Sequence, residues 1–409
     1  MRIWIVNYYT DIPEKASNPR YLQLAKHFMH KGWDVITFNA NYSGLETDPL
    51  FIRKQYGDYD FVHIKAPHYE GNGLKRIWSI LVFAWRFFLH GRKFETPDVI
   101  LQNIHPPFDY PIVWTAKRLK AKYIAEEWDS WPEDFVASGL VSERNPFMPF
   151  AYHIEKLYYY NADAVISTLQ GTKDHIIQKG WSKDRGGKLD LENFYYINNG
   201  VDLEQFDHDR KEHPRKDTDI NDNDIIKVVY LGSINGANHV NTLIEAAELL
   251  KDNQKYKFFI YGDGYLRPQL EELVRTNCID NVFFKERRVS FSEVPWIVSQ
   301  ATVNVMNYEK GFGRWGVSSG KMFMYLAAGK PIICNVDIKY DNVIKDNNLG
   351  ICKDIETPQD FADSIKLLAE QEEENYNSMC ARVRQCASSF DYNVLAAKEI
   401  SVIESIFRK

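Results

Sequence analysis

The sequence predicts an α/β protein of two Rossmann-like domains in tandem, with ligands held in a cleft between them. Three observations carry that expectation. A chain of 409 residues is too long for one ordinary core. Short apolar runs suited to buried strands alternate with amphipathic helical stretches in two series, one opening at Ile3 and one at Ile225. Several of these runs end in loops rich in glycine and polar residues, at the strand ends where open α/β sheets bind ligands. The first domain is expected over residues 1–205 and the second over 206–389, with a last helix near 390–409.

In the first series, Ile3–Val6 is a buried strand followed by a long polar loop. Pro19 opens a helix with Tyr21, Leu22, Leu24, Ala25 and Phe28 on one face. Gly32 closes that helix and Asp34–Phe38 is the next strand. No GxGxxG follows a strand, which weighs against a dinucleotide oxidoreductase. Phe61–Ala66 is a third strand. Between Lys65 and Lys93 stand six basic residues and one acid, around the apolar run Ile77–Leu89. As a helix that run is about 20 Å long, too short to cross a bilayer. It suits either an anionic membrane surface or a helix packed on the sheet. Val99–Gln102 is the fourth strand, and His105 stands just beyond it, placed for chemistry or ligand contact. Tyr123–Ala125 runs into EEWDSWPED, residues 126–134, with five acids and two tryptophans at a strand end. Carboxylates accept hydrogen bonds from hydroxyls and indoles stack on apolar ring faces, so this block suits a sugar. Residues 207–224 are polar and charged and read as an interdomain linker.

In the second series, Ile225–Gly232 leads into a glycine loop with Ser233, Gly236 and Asn238 ahead of a helix at Thr242–Leu250. Tyr256–Tyr261 ends in Gly262, Asp263 and Gly264. Val282–Phe284 is followed by Arg287 and Arg288, cations available to a phosphate. The stretch Asn304–Val336 organises the rest. It reads as strand, glycine-bearing loop, short helix, tight turn and strand. Gly311, Gly313 and Gly316 free the backbone to approach a ligand. Ser318 is a candidate cap of a helix with Lys321 in its first turn, and Gly329 ends that helix as a left-handed cap before Pro331. A helix start offers unpaired N–H groups and a positive dipole end, and with Arg314, Val317, Ser319 and Lys321 nearby it suits a phosphate or diphosphate.

Composition narrows the class. Aromatic residues are 14% of the chain, and the formal net charge of −6 argues against general nucleic-acid binding. Five cysteines without a close CxxC pair argue for a reducing compartment and against a disulfide framework or zinc site. With no signal peptide and no spanning segment visible, a cytoplasmic protein is expected, one that touches the inner face of the membrane if residues 75–93 do.

SSGKMFMYLAAGKPII resembles the nucleotide-sugar signature of the family 4 glycosyltransferases, retaining enzymes of the GT-B fold. Ser318, Lys321, Tyr325, Ala327, Ala328, Gly329, Lys330 and Pro331 match it. Met324 stands where the family has a glutamate for the donor ribose. Asn18, Pro19 and Arg20 and the block Asp129, Trp131, Pro132 and Glu133 match the subgroup that builds bacterial surface polysaccharides, and NNGVDLEQF at 198–206 resembles the family's interdomain signature. Trp128 stands near the place of a family histidine. The resemblance implies a retaining transfer from a nucleotide sugar to a glycan or polyprenyl-diphosphate-linked acceptor, with no cofactor and no metal. It implies a catalytic group of Asp129, His105 and Glu133, with Asn18, Arg20, Trp128 and Trp131 on the acceptor. Arg20 reads either as a cation for an anionic acceptor or as a solvated helix-start arginine. The donor side falls to Gly232, Ser233, Gly236, Asn238, Gly262, Gly264, Arg288, Arg314, Gly316, Val317, Ser318, Ser319, Lys321 and Met324. Met324 and the lack of basic residues near Gly236 also fit a GT-B scaffold without turnover. An epimerase of the same fold fits the WDSWPE block less well. The Asp58-Tyr59-Asp60 spacing is discounted as a metal motif.

Overall fold

The computed structural model describes all residues except 16–18, 42–46, 72, 138, 140, 223, 312 and 409. The expected acceptor residue Asn18 lies outside the described residues. The chain divides into two compact units, Met1–Asn198 with Tyr392–Lys409, and Asn199–Asp391.

The first unit is built on eight strands: β1 (Arg2–Val6), β2 (Asp34–Asn41), β3 (Phe51–Tyr56), β4 (Tyr59–Lys65), β5 (Val99–Asn103), β6 (Lys122–Glu127), β7 (Ala164–Ser167) and β8 (Phe194–Tyr196). Their order is β3-β4-β2-β1-β5-β6-β7-β8. All pairs are parallel except the β3–β4 hairpin. That hairpin is absent from the sequence reading, because β3 is short, polar and at the sheet edge. Its turn is the discounted Asp58–Asp60 stretch, where Asp60 takes Arg53 at 2.6 Å. The central strands are apolar on both faces because both are covered. Phe83 and Phe87 of the helix Leu74–His90 pack with Trp4 and Phe38 on one face. Tyr21, Leu24 and Phe28 of the helix Arg20–His30 pack with Ile3 and Ile5 on the other. The C-terminal helix Tyr392–Ser405 joins that second layer through Leu395, Ala396, Val402 and Ile403. Burial of each such side chain contributes about 1.5–3 kcal/mol.

The second unit has six strands: β9 (Ile226–Leu231), β10 (Tyr256–Tyr261), β11 (Val282–Phe284), β12 (Val303–Met306), β13 (Ile332–Cys334) and β14 (Gly350–Cys352). All are parallel, in the order β11-β10-β9-β12-β13-β14. β9 is central, so the loop after it and the loop after β12 are neighbours at one sheet end.

Two boundaries differ from the sequence reading. The first unit ends at Asn198 and not at residue 205. Val201 bridges Asp391, and the Asn199 side chain donates to the Ser318 carbonyl at 3.0 Å, which ties this segment to the second unit. The expected linker is also partly a helix, Leu203–Glu212. Asp202 caps it by accepting from Gln205 N–H, and Phe206 is buried, anchoring an otherwise polar helix.

Candidate donor and acceptor sites

The second unit gathers most of its expected donor residues at the carboxyl ends of β9, β10 and β12. Backbone crowding explains the glycines there. A Cβ on Gly262 would lie 1.9 Å from the Gly232 carbonyl oxygen, and one on Gly264 would lie 2.1 Å from that of Ile234. A Cβ on Gly232 would meet Lys321 Nζ at 3.0 Å. The three glycines therefore let two loops and the lysine converge. Tyr265 closes the group by accepting the Gly236 N–H at 3.0 Å. Ser233 is exposed, and its carbonyl accepts from the Tyr230 hydroxyl at 2.7 Å.

Lys321 stands in the first turn of the helix Gly320–Ala328. Its ammonium donates to Asn238 Oδ1 at 3.1 Å and lies 4.9 and 5.3 Å from the ring centres of Tyr230 and Tyr308. Asn238 is held in turn by Asn235. Desolvation lowers the Lys321 pKa to about 8, against a weaker upward pull from Cys334. The group is thus a cation held among neutral partners, a place where an added anion gains most.

The helix start differs in one detail from the sequence reading. Ser319, not Ser318, occupies the cap position, and it makes no side-chain cap hydrogen bond. Ser318 Oγ instead accepts the Asn199 N–H at 3.2 Å, linking the NNGVD turn to this loop. Gly329 has φ 65° and ends the helix, as expected. Gly313 has φ 76°, and a Cβ there would lie 2.5 Å from Val317 Cγ2, so this loop too needs glycine. Gly316 is buried, and its N–H donates to the Gly313 carbonyl at 2.9 Å. Met324 lies one turn after Lys321, half-buried against the core, and offers no hydroxyl-binding group. Arg314 is exposed, 5.0 Å from the Trp315 ring centre. Arg287 is held by Asp263 at 2.7 Å, whereas Arg288 is exposed. His239 is held by Glu309 at 2.5 Å.

The first unit gathers a second cluster at the carboxyl ends of β5 and β6. His105 is buried, and its Nδ1 meets Asp109 Oδ2 at 3.0 Å. The same carboxylate accepts the His105 backbone N–H at 2.9 Å and the Tyr158 hydroxyl at 2.5 Å. His105 is thus oriented by a carboxylate, as a positioned imidazole requires. Trp131 and Tyr9 stand edge-on to its ring at 5.3 and 5.2 Å. Asp129 is exposed at the rim yet closely surrounded by protein. Desolvation raises its pKa, with His105 and Arg76 pulling the other way. Arg76 is the residue that sequence reasoning missed. Its Nε donates to the Tyr9 hydroxyl at 2.7 Å, and its guanidinium lies 5.1 and 5.6 Å from the Tyr9 and Trp131 ring centres. In the sequence it is one of six cations spread over residues 65–93, with no local signal to single it out.

Three expected site residues have other roles. Arg20 is fully buried. Its guanidinium binds Glu126 at 2.5 and 2.8 Å, Glu399 at 3.3 Å and the Asn198 carbonyl at 2.7 Å. It meets no acceptor and is not solvated; it ties the C-terminal helix to β6. Trp128 packs on Tyr21 in the core, with ring centres 4.7 Å apart. Glu133 is buried and accepts the Tyr152 hydroxyl at 2.6 Å, with Lys179 at 3.9 Å. That carboxylate is committed to holding the loop.

Comparison with known proteins bears on the fold of the chain and on the second unit. Residues 226–371 match the family model described as Glycosyl transferases group 1. The chain has the GT-B fold, and its second unit matches a glycosyltransferase family model. The matched residues span β9 to β14 and the helix that follows, so they hold the converging glycines and Lys321 of the second unit. The fold is that of sucrose-phosphate synthase from Thermosynechococcus elongatus, at TM-score 0.74, 18% identity, 100% of this chain and 99% of that one. It is also that of HepE from Anabaena, solved with UDP and glucose, at TM-score 0.68, 14% identity and 99% and 100% of the two chains. WaaG, a glycosyltransferase involved in lipopolysaccharide biosynthesis, gives TM-score 0.67, 15% identity and 98% and 99% coverage. No curated protein matches the chain at the level of sequence.

Proposed function

We propose that this protein is a glycosyltransferase that moves a sugar from a nucleotide-sugar donor, with retention at the anomeric carbon, to a glycan or polyprenyl-diphosphate-linked acceptor in surface-polysaccharide synthesis. The observation that carries this reading is Lys321. It is a depressed-pKa cation at an uncapped helix start, ringed by glycines whose Cβ atoms would have no room. Backbone amides and an ammonium aimed at one place stabilise the charge that develops on a departing diphosphate. Arg314 and Arg288 add cations at the rim. No metal enters the step: the charge that a metal would offset falls to Lys321 and the amides. HepE is solved with UDP-glucose, which supports UDP as the nucleotide. Met324 leaves the ribose to backbone and other polar groups.

The acceptor falls to the first unit. Asp129, His105 and Arg76 converge there with Tyr9 and Trp131, which supply a sugar-stacking face and a cation for an anionic group. The helix Leu74–His90 supports delivery from a membrane. Its inner face is core, yet Leu74, Trp78, Trp85 and Leu89 on the other side are 82, 60, 44 and 60% exposed. No acid lies between residues 71 and 94, and Lys75, Arg92 and Lys93 flank the stripe. Such a face suits an anionic membrane surface. Among the described residues no helix is long and apolar enough to cross a membrane.

The test of transfer is incubation with UDP-sugars and short glycan acceptors, reading UDP release and the anomeric proton of the product. Product with the donor's anomeric configuration supports the reading, and inverted product overturns the retaining mechanism. The membrane contact is tested by sedimentation with anionic and neutral vesicles. Binding to anionic vesicles alone, lost in a Trp78→Ala/Trp85→Ala variant, supports it; equal recovery of both variants in the supernatant overturns it.

A further inference from the structure

The second unit holds a cavity of about 410 Å³ at the end of the sheet opposite the donor loops. It lies where β9, β12 and β13 begin, and Lys227, Thr302, Lys330 and Tyr376 line it with Glu373 on its rim. Lys227 is only 5% exposed. Among the described residues its ammonium makes no hydrogen bond and no ion pair. An ammonium drawn partly out of water and left without an ion pair gains from an added anion. Burial and then the neighbouring charge of Lys330 lower its pKa, with Asp222 opposing. Lys330 lies at the same mouth, 6.0 Å from the Tyr376 ring centre.

The wall around the two lysines is rigid without a ligand. Thr302 Oγ1 accepts the Lys227 backbone N–H at 3.0 Å, and the Thr302 carbonyl accepts the Tyr376 hydroxyl at 2.9 Å. Ser299 spends its hydroxyl on the Pro295 carbonyl at 2.7 Å. The cavity's cations are the two ammonium groups, beside the side-chain amides of Gln300 and Gln371. Glu373 is exposed on the rim and is not within ion-pair distance of either lysine among the described residues. Nothing in the proposed transfer uses this cavity, because the donor loops stand at the carboxyl ends of the same strands.

We propose that this cavity binds a phosphate-class dianion between Lys227 and Lys330, as a site separate from the donor site. A tetrahedral oxyanion would add a counter-charge to both ammonium groups. The ligand is inorganic phosphate or the phosphate of a small monoester. The volume admits either.

The experiment follows the lysine Cε resonances of the ¹³C-labelled full chain during titration with inorganic phosphate and, separately, glucose 6-phosphate, at constant ionic strength in chloride. A Lys321→Ala background removes phosphate binding at the donor loop. The expected result is a saturable shift of the Lys227 signal, with affinity at least tenfold weaker in Lys227→Met and in Lys330→Met. Lys330 is half-buried at the mouth, so that variant keeps the test valid if Lys227→Met does not fold. Saturation by inorganic phosphate alone supports the site with free phosphate as ligand, and tighter binding of the ester supports it with a metabolite as ligand. No saturable Lys227 shift with either probe overturns it, as does equal affinity in the wild type and Lys330→Met. UDP binding at the donor loop is expected to be the same in wild type and Lys330→Met, so failure here leaves the donor reading untouched.

Discussion

Replacing Arg20 by methionine tests whether that residue holds the fold or meets a substrate. The side chain is fully buried and binds Glu126, Glu399 and a backbone carbonyl. Arg20→Met keeps most of the volume and removes the cation that pairs with two buried carboxylates. Removing one partner of a buried ion pair costs about 3–5 kcal/mol. The orphaned carbonyl of Asn198 adds about 1–3 kcal/mol where water does not reach it. Protonation of Glu399, whose pKa burial already raises, offsets part of the loss. A net loss of about 4 kcal/mol is expected, a large share of the 5–15 kcal/mol typical of a domain. Urea unfolding followed by circular dichroism reads it. Adding Glu399→Gln to Arg20→Met removes one of the stranded carboxylates and should recover about 1–2 kcal/mol. A loss below about 1 kcal/mol, with turnover reduced, would refute the structural role and return Arg20 to the acceptor.

Other consequences are equally specific. Lys321 has a pKa near 8 in the free protein. It is about 90% charged at pH 7 and about 10% at pH 9, while a terminal phosphate with second pKa of about 6 is at least about 90% doubly charged throughout. UDP affinity measured by calorimetry should therefore fall about tenfold from pH 7 to pH 9 in the wild type, and stay flat in Lys321→Met. Gly264→Ala places a Cβ 2.1 Å from a carbonyl oxygen. A backbone shift costing about 1–3 kcal/mol should lower the melting temperature and weaken UDP. Glu127 is buried, and desolvation with Glu155 lifts its pKa to about 8. The folded state holds a proton that the unfolded state has released, so stability should fall as pH rises from about 4.5 to 8. Glu127→Gln should flatten that part of the pH–stability curve. Asp129→Asn should leave UDP binding intact and lower turnover by at least about a hundredfold.

Features set by neighbours in sequence were legible. Gly329 reads as a cap because its left-handed backbone is a local matter, and the strand–loop–helix order around Lys321 follows from periodicity. Features set by distant partners were not. Arg20 looked solvated because Glu126 and Glu399 are 106 and 379 positions away. Arg76 looked like a surface cation because Tyr9, its partner, is 67 positions away. The helix Leu203–Glu212 was hidden by its charged composition, although Asp202 followed by Gln205 three positions later was a readable cap signal. Glu133 is expected in the catalytic group because its block matches the family motif, while the Tyr152 hydroxyl that holds it lies on another helix.

The most direct measurement is calorimetric titration of the full chain with UDP, GDP, ADP, CMP and dTDP, with no metal added and chelator present. Binding of one nucleoside diphosphate, weakened at least tenfold in Lys321→Met, is the expected result. No binding of any of them by a folded sample would contradict a working donor site and point to Met324 as the residue that closed it.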